Sequence, residues 1–218
     1  MGCRIYGYPV ITEVPKLFTI VLQVFGWLIF TLATVVLGAW LRGYPGKENA
    51  EKTSRILHFL FWVGVVPPTG LGIFYPGLTR FDKILGLNPL PLPTILPLIG
   101  TLMLLIGAYL FVVSNIVLRF SGKGAHAFVL TKQVATVSVY RWTRNPMSLG
   151  FYFWSVGGGL LIGSTYWTFG ALLLVIPVHI LYLKYFEEYE LGLRLGQPYL
   201  AYKQRVPFLL PRCISHKT

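Results

Sequence analysis

The segment from Tyr140 to Gly150, YRWTRNPMSLG, carries residues that could bind an anion. Asn145-Pro146 is a typical helix start, because asparagine can cap a helix and proline is tolerated at its first position. The free backbone N–H groups at a helix start attract anions, and Arg144 adds a guanidinium group beside them. The simpler interpretation is that Arg141 and Arg144 only mark the boundary of a membrane span.

A second polar segment, YLKYFEEYELGLRLG, runs from Tyr182 to Gly196 and holds three of the seven acidic residues of the chain. Lys184 with Glu188, and Glu190 with Arg194, have the i,i+4 spacing of helical ion pairs. This spacing predicts a salt-bridged helix face that is exposed to solvent.

Glu187 in the same segment does not fit that solvated face. Its i±4 neighbours are Leu183 and Leu191, so it projects from an apolar stripe of the helix. A carboxylate in such a place at a membrane edge is costly and is typically functional. We expect Glu187 to accept hydrogen bonds from a polar, cationic cofactor.

Other polar motifs indicate structure more than chemistry. Gly157-Gly158-Gly159 with Gly163 contains a small-xxx-small spacing, which favours close helix packing. His126 and His179 are isolated and lack metal-ligand spacing, so we expect no metal site. No spacing supports a Ser-His-Asp or Cys-His arrangement for nucleophilic catalysis.

The composition predicts that both polar segments belong to a membrane protein. The 218 residues are 55% hydrophobic and 12% charged, whereas a typical soluble domain is about 25% charged. This balance excludes a disordered chain, a secreted disulfide scaffold and a soluble nucleic-acid binder. We expect no nucleic-acid partner, although 19 Lys and Arg residues outnumber seven Asp and Glu residues.

Hydropathy predicts an all-α integral membrane protein with about five transmembrane helices. Residues 17–41, 56–75 and 95–118 are apolar stretches long enough to cross a bilayer core of about 30 Å. Pro67-Pro68 is expected to kink or break the second of them.

The last apolar stretch, Leu149 to Leu183, predicts a hairpin. Its 35 residues contain no Lys, Arg, Asp or Glu, and one straight helix of that length would reach about 52 Å. We therefore expect two spans that turn at Gly163-Ser164-Thr165. The chain, 1–218, is predicted to form one membrane domain, with N-terminal spans and a connector in 1–94 and a core holding both polar segments in 95–218.

The distribution of basic residues predicts the orientation of these spans. Segments 42–55, 119–147 and 184–218 carry 15 of the 19 Lys and Arg residues. By the positive-inside rule they lie in the cytosol, which places the N-terminus outside and the C-terminus inside. The two polar segments then meet at one face of the membrane.

The order and spacing of these motifs resemble a known family. The run from Gly122 to Gly150 contains Tyr-x-x-x-Arg-Asn-Pro, and a glycine-rich hydrophobic hairpin follows it. Glu187-Glu188 come next, and then Gly-x-x-Tyr-x-x-Tyr-x-x-x-Val-Pro from Gly196. Over residues 122–212 this combination is similar to the isoprenylcysteine carboxyl methyltransferase family and its prokaryotic relatives.

The resemblance implies an integral-membrane methyltransferase that takes S-adenosylmethionine from the cytosol and a lipid or lipidated acceptor from the bilayer. It implies catalytic roles for Glu188 and for Arg144, which would orient or neutralise the acceptor. The cofactor contacts that it implies are Lys132, Gln133, Val134, Ala135, Tyr140, Asn145, Pro146, Met147, Ser148 and Glu187.

The acceptor remains open at this point. A carboxylate of isoprenylcysteine type is favoured, but Leu183 stands where the prenyl-cysteine enzymes have an arginine, and many relatives have tyrosine in place of Ser148. A phospholipid amine is therefore an alternative. Two other classes also fit: a sterol-type membrane reductase that uses NADPH, suggested by the tyrosine-rich Val-Pro ending, and a non-catalytic membrane scaffold.

Overall fold

The computed structural model describes residues 10–91, 94–124 and 130–210, and regular structure in these ranges is helical. A short 3-10 turn, Ser138–Arg141, precedes the helix that begins at Pro146. The α-helices are α1 (Val10–Gly43), α2 (Lys47–Gly77), α3 (Phe81–Ile84), α4 (Ile95–Phe120), α5 (Pro146–Ile162), α6 (Thr165–Leu195) and α7 (Gln197–Arg205).

Four helices in the described ranges are long and apolar enough to cross a membrane: Leu17–Gly43 of α1, α2, α4 and α6. The apolar helix α5 has 17 residues, which corresponds to about 25 Å and is shorter than a typical bilayer core. The all-α membrane architecture therefore agrees with the sequence, while the count of five spans stays a prediction.

Helix α2 begins earlier than predicted, continues through Pro67-Pro68 and leaves helical geometry at Tyr75, near its end. It begins at Lys47, because residues 47–55 form an amphipathic start that buries Ala50, Thr53 and Ser54. Pro67-Pro68 do not break it. A π-helical turn at Phe61–Val65 precedes them, and they stand in the first turn of the next α-helical stretch, where a missing N–H group costs little.

The chain between α5 and α6 turns within the tripeptide that the sequence indicates. Gly163 has a left-handed backbone with φ 64°, a conformation that glycine adopts without a Cβ penalty. The hydroxyl oxygen of Ser164 then accepts a hydrogen bond from the Trp167 N–H at 3.2 Å. The α2–α4 connector packs at this end, where the Trp167 indole donates to the Leu78 carbonyl at 3.0 Å.

Helices α1, α2 and α6 share an aromatic core. Trp27, Phe30 and Leu57 from the first two helices bury their side chains against Tyr182 and Phe186 of α6. This core fixes the final turns of α6, in which the acidic residues lie.

Helices α4 and α5 meet through glycines. A Cβ atom at Gly100 would lie 2.7 Å from the Gly157 carbonyl oxygen, and one at Gly107 would lie 2.7 Å from the Gly150 carbonyl oxygen. Both distances are shorter than real Cβ contacts. The two backbones can therefore approach this closely only because these positions are glycines. Gly159 packs in a similar way against Thr168 of α6, and these contacts hold the start of α5 in place.

Candidate functional site

An ion pair joins the two polar segments. The Arg144 Nη2 atom lies 2.9 Å from Glu188 Oε1, and the Lys203 Nζ atom lies 2.7 Å from Glu188 Oε2. The side chains of Arg144 and Glu188 are only 10% and 12% exposed. The fold therefore brings the predicted catalytic pair, Arg144 and Glu188, into contact at one end of the helices, which we call the basic end.

The predicted ion pair between Lys184 and Glu188 is wrong. The Glu188 carboxylate is occupied by Arg144 and Lys203, which reach it from other parts of the chain. The Lys184 Nζ atom instead lies 4.8 Å from the centre of the Phe208 ring, a distance at which a cation is attracted by an aromatic face.

The second predicted pair forms, but its carboxylate is buried and is not part of a solvated face. Arg194 Nε lies 2.5 Å from Glu190 Oε1, and the Glu190 side chain is 1% exposed. The same guanidinium group donates a hydrogen bond to the Thr131 carbonyl oxygen. This bond ties the loop before Lys132 to α6.

Glu187 forms no hydrogen bond or ion pair with the part of the chain that the structure describes, and its side chain is half-buried. Tyrosines surround it. Burial raises the pKa of Tyr140 well above its ordinary value, and electrostatic interactions with Tyr202 and Glu187 raise it further. Burial also raises the pKa of Tyr199, with further contributions from Glu188 and Glu187. These phenols are therefore neutral at physiological pH and stand near the carboxyl group of Glu187.

Residues 143–145 bind the segment after α7. The Arg144 backbone N–H donates to the Pro207 carbonyl at 2.9 Å. The Thr143 hydroxyl and the Asn145 side-chain amide both donate to the Phe208 carbonyl, at 3.2 and 2.9 Å. Asn145 precedes Pro146 at the start of α5, as predicted, but the expected side-chain cap is wrong, because its amide group is directed to Phe208.

A buried hydrogen bond adds to this connection. The Tyr202 hydroxyl donates to the Tyr140 carbonyl at 2.8 Å. Burial raises the pKa of Tyr202, and the positive charge of Arg144 partly opposes the shift. The phenol therefore keeps the proton that the bond requires.

The remaining predicted cofactor residues lie in two places. Lys132 and Gln133 are exposed, and their backbone N–H groups donate to the Gly122 carbonyl. Val134 is half-buried, and Ala135 is buried in a cluster with Tyr140. Pro146 is buried at the start of α5, with Met147 and Ser148 half-buried beside it. No contact among the described residues joins the side chains of Lys132 or Gln133 to Glu187.

Arg144 has spare hydrogen-bonding capacity. Its Nε and Nη1 atoms are buried and have no hydrogen-bond partner in the described ranges. A buried donor without a partner is costly, more so when it is charged. Each of these guanidinium donors can bind an oxygen atom of a carboxylate or phosphate, so the site is suited to an oxyanion.

Sequence reasoning missed Lys203 as a partner of Glu188. Lys203 lies on α7, far outside the three- or four-residue spacing that identifies helical pairs. The Tyr199-x-x-Tyr202 motif beside Lys203 indicates an interfacial segment, but it does not predict which residue Lys203 contacts.

The sequence singles out two histidines, and the structure describes one of them. His126 lies outside the described residues. The His179 Nδ1 atom lies 2.9 Å from the Tyr152 hydroxyl oxygen, and no three His, Cys, Asp or Glu side chains of the described residues form a metal site.

Comparison with protein families bears directly on the region built around Arg144 and Glu188. Residues 96–192 match the family model for phospholipid methyltransferases. The match runs from α4 through most of α6 and includes the 140–150 segment, Glu187 and Glu188. It indicates a membrane methyltransferase that acts on lipids.

The match stops before Lys203 and the segment that binds residues 143–145. It is to a methyltransferase family related to the one that the sequence motifs resemble, and it does not specify an isoprenylcysteine acceptor. Neither the comparison with curated proteins nor that with solved structures gives a significant match.

Proposed function

We propose that this protein transfers a methyl group from S-adenosylmethionine to a lipid-linked acceptor at the basic end of its helices, which faces the cytosol. The observation that carries the proposal is Glu187, a half-buried carboxylate with no ionic partner in the described ranges. It lies within the region that matches a lipid-directed methyltransferase family.

The residues around Glu187 fit this cofactor. S-adenosylmethionine carries a sulfonium and an ammonium group, and an unpaired carboxylate stabilises either cation when water is excluded. The neutral rings of Tyr140 and Tyr199 offer aromatic faces that attract cations as well. Asn145 to Ser148 and the loop from Lys132 to Ala135 would hold the rest of the molecule.

When bound, the cofactor supplies an activated methyl group. Transfer breaks its S–CH3 bond and forms a bond from the methyl carbon to the acceptor, so the residues of this chain chiefly align the two reactants. Holding reactants in the correct geometry can lower a barrier by about 7–11 kcal/mol. Because Nη2 of Arg144 is anchored on Glu188, the free Nε and Nη1 donors are held in position to orient an anionic acceptor.

The favoured acceptor is a carboxylate of isoprenylcysteine type. A carboxylate can accept a hydrogen bond from a free donor of Arg144 and needs no proton removed before it attacks. A phospholipid amine is a second candidate, supported by the family match. There Arg144 would bind the phosphate, and the ammonium group would have to give its proton to a base such as Glu187.

Calorimetric titration of the detergent-purified protein tests the cofactor. We expect S-adenosylhomocysteine to bind, and Glu187→Gln to weaken binding about tenfold, in line with the strength of hydrogen bonds to charged groups. If Glu187 faces the sulfonium, the loss is larger for S-adenosylmethionine. Glu48→Gln, which removes an exposed carboxylate on α2, is the matched control and should leave affinity unchanged.

Two outcomes would count against the proposal. Equal affinity of wild type and Glu187→Gln would remove Glu187 from the cofactor site. Binding of NADPH without binding of S-adenosylhomocysteine would favour a reductase, and binding of neither would favour a scaffold.

Transfer of a radiolabelled methyl group distinguishes the acceptors. The protein is incubated with labelled cofactor and either a farnesylated cysteine or phosphatidylethanolamine, and the products are treated with base. A methyl ester releases labelled methanol under these conditions, whereas an N-methyl group does not. Release from the farnesylated cysteine supports the carboxylate, and base-stable label in the phospholipid supports the amine.

A further inference from the structure

A cavity of about 430 Å³ lies at the basic end, on a side of α6 different from that of Glu187. Lys184, Glu188 and Gly192 line it from α6, at the i,i+4 spacing that places residues on one helix face. Arg42 borders it from the end of α1, and Lys203 borders it from α7. The cavity is therefore lined by the end of α1 and by the consecutive helices α6 and α7.

The charge lining this cavity is positive. Arg42, Lys184 and Lys203 are its cations, and Glu188 is its carboxylate. Glu188 is already neutralised by Arg144 and Lys203. Lys184 forms no ion pair in the described ranges, so its ammonium group is available to a ligand, and the surplus charge favours an anion.

Arg42 is fixed before any ligand arrives. Its Nη1 atom donates to the Gly38 carbonyl at 2.7 Å, and its Nη2 atom donates to the Tyr185 carbonyl at 2.5 Å. Its guanidinium carbon also lies 4.0 Å from the centre of the Tyr185 ring. A side chain held in this way loses little conformational entropy on binding.

The rest of the cavity wall is apolar. Tyr189, Leu193 and Leu200 contribute to it, and the Leu200 side chain is 40% exposed. The cavity lies where two candidate membrane spans, α1 and α6, end. A ligand of this site would therefore have an anionic group beside an apolar part, at the depth of the lipid head groups.

We propose that this cavity binds the phosphate group of a lipid head group. Basic pockets between spans are suited to phosphate-bearing head groups, and a phosphate can accept hydrogen bonds from Lys184 and Arg42 together. The cavity shares Glu188 and Lys203 with the junction at the basic end, but Glu187 does not line it. The inference goes beyond the proposed function, since binding there requires no methyl transfer.

Titration of the detergent-purified full-length protein with short-chain lipids tests the proposal, with affinity measured by native mass spectrometry. Dioctanoyl phosphatidic acid and phosphatidylglycerol provide the lipid phosphate, and inorganic phosphate provides the free ion. We expect Lys184→Gln to weaken binding of both lipids about tenfold. Lys52→Gln, an exposed lysine on α2 outside the cavity, is the matched control and should change affinity less than twofold.

A second variant tests the cavity without changing charge. A Cβ atom at Gly192 would lie 3.7 Å from Leu200 Cδ2, an ordinary contact, so the backbone tolerates a side chain there. Gly192→Leu should fill the space and abolish lipid binding, while binding of S-adenosylhomocysteine persists and shows that the protein is folded.

The outcomes separate the possible sources of phosphate. Loss of lipid binding in both variants, with weak binding of inorganic phosphate, supports a lipid ligand. Strong, Lys184-dependent binding of inorganic phosphate alone would assign the cavity to a soluble phosphate and overturn the lipid source. Equal losses in Lys184→Gln and Lys52→Gln, or no loss in either cavity variant, would overturn the site.

Discussion

Two sets of contacts hold the start of α5 in place. One is the contact between α4 and α5, and the other is the polar junction at the basic end, formed by Arg144, Glu188 and the segment after α7; the two work by opposite means. Between α4 and α5, glycines let the two backbones touch. At the basic end, the ion pair of Arg144 and Glu188 and the bonds to Pro207 and Phe208 join distant segments. The hydrophobic effect does not drive helices together within lipid, so close packing has to hold α4 and α5 together. At the membrane boundary, polar contacts can instead define a geometry for chemistry.

The largest effect is expected from breaking the ion pair at the basic end. Arg144→Met removes the guanidinium but keeps most of the side-chain volume, and leaves Glu188 with only the partly exposed Lys203. Loss of one partner of a buried pair costs about 3–5 kcal/mol, and we expect the lower part of this range. Thermal and denaturant unfolding in detergent measure it.

The same variant has a functional readout. We expect methyl transfer to be lost while cofactor affinity is largely kept; an equal loss of both would place Arg144 in the cofactor site. Arg141→Met, an exposed neighbour, is the control, and a comparable loss of stability there would show that charge at this boundary matters in general.

A smaller effect is expected from the glycine contact. In Gly157→Ala the new Cβ atom would lie 2.8 Å from the Gly100 carbonyl oxygen and 2.9 Å from Met103 Cβ. Such overpacking typically costs about 1–3 kcal/mol, measured as a lower free energy of unfolding.

The adjacent residue provides the control for that variant. A Cβ atom at Gly158 would meet nothing within 4 Å, and alanine is a better helix former than glycine by about 1 kcal/mol. Gly158→Ala should therefore be neutral or stabilising. If both variants change the free energy of unfolding equally, helix propensity, and not the close approach of α4 and α5, determines the effect of replacing these glycines.

The smallest effect is expected from a single hydrogen bond in the junction. Tyr202→Phe removes the bond to the Tyr140 carbonyl and should lower the free energy of unfolding by about 1 kcal/mol. Tyr44→Phe is the control, because the Tyr44 side chain is 62% exposed and should show no change. An unchanged stability for Tyr202→Phe would mean that water replaces the lost bond.

The sequence predicted the features that depend on length and composition. The absence of charge from Leu149 to Leu183 required a turn, and the structure has one at Gly163-Ser164. The crowding of basic residues in three segments anticipated that Arg144 and Glu188 would lie at one end.

Features that depend on contacts between distant segments could not be predicted. The i,i+4 spacing correctly paired Glu190 with Arg194 but wrongly paired Glu188 with Lys184. Spacing along one helix does not reveal cations from other segments, such as Arg144 and Lys203, that bind the same carboxylate. Asn145 has the right residue type and position for a cap, yet the Phe208 carbonyl takes its amide group. The close approach of Gly100 and Gly157 depends on the register of two helices, which no single stretch of sequence specifies.

The hydrogen bonds from Thr143 to Phe208 also constrain how the protein is made. These residues are 65 positions apart, so a ribosome that has just synthesised Thr143 must complete α5, α6 and α7 before the partner exists. Arg144 and Glu188 are therefore synthesised before Lys203 and the segment that follows it. The polar junction is completed only once the chain up to Phe208 has been synthesised.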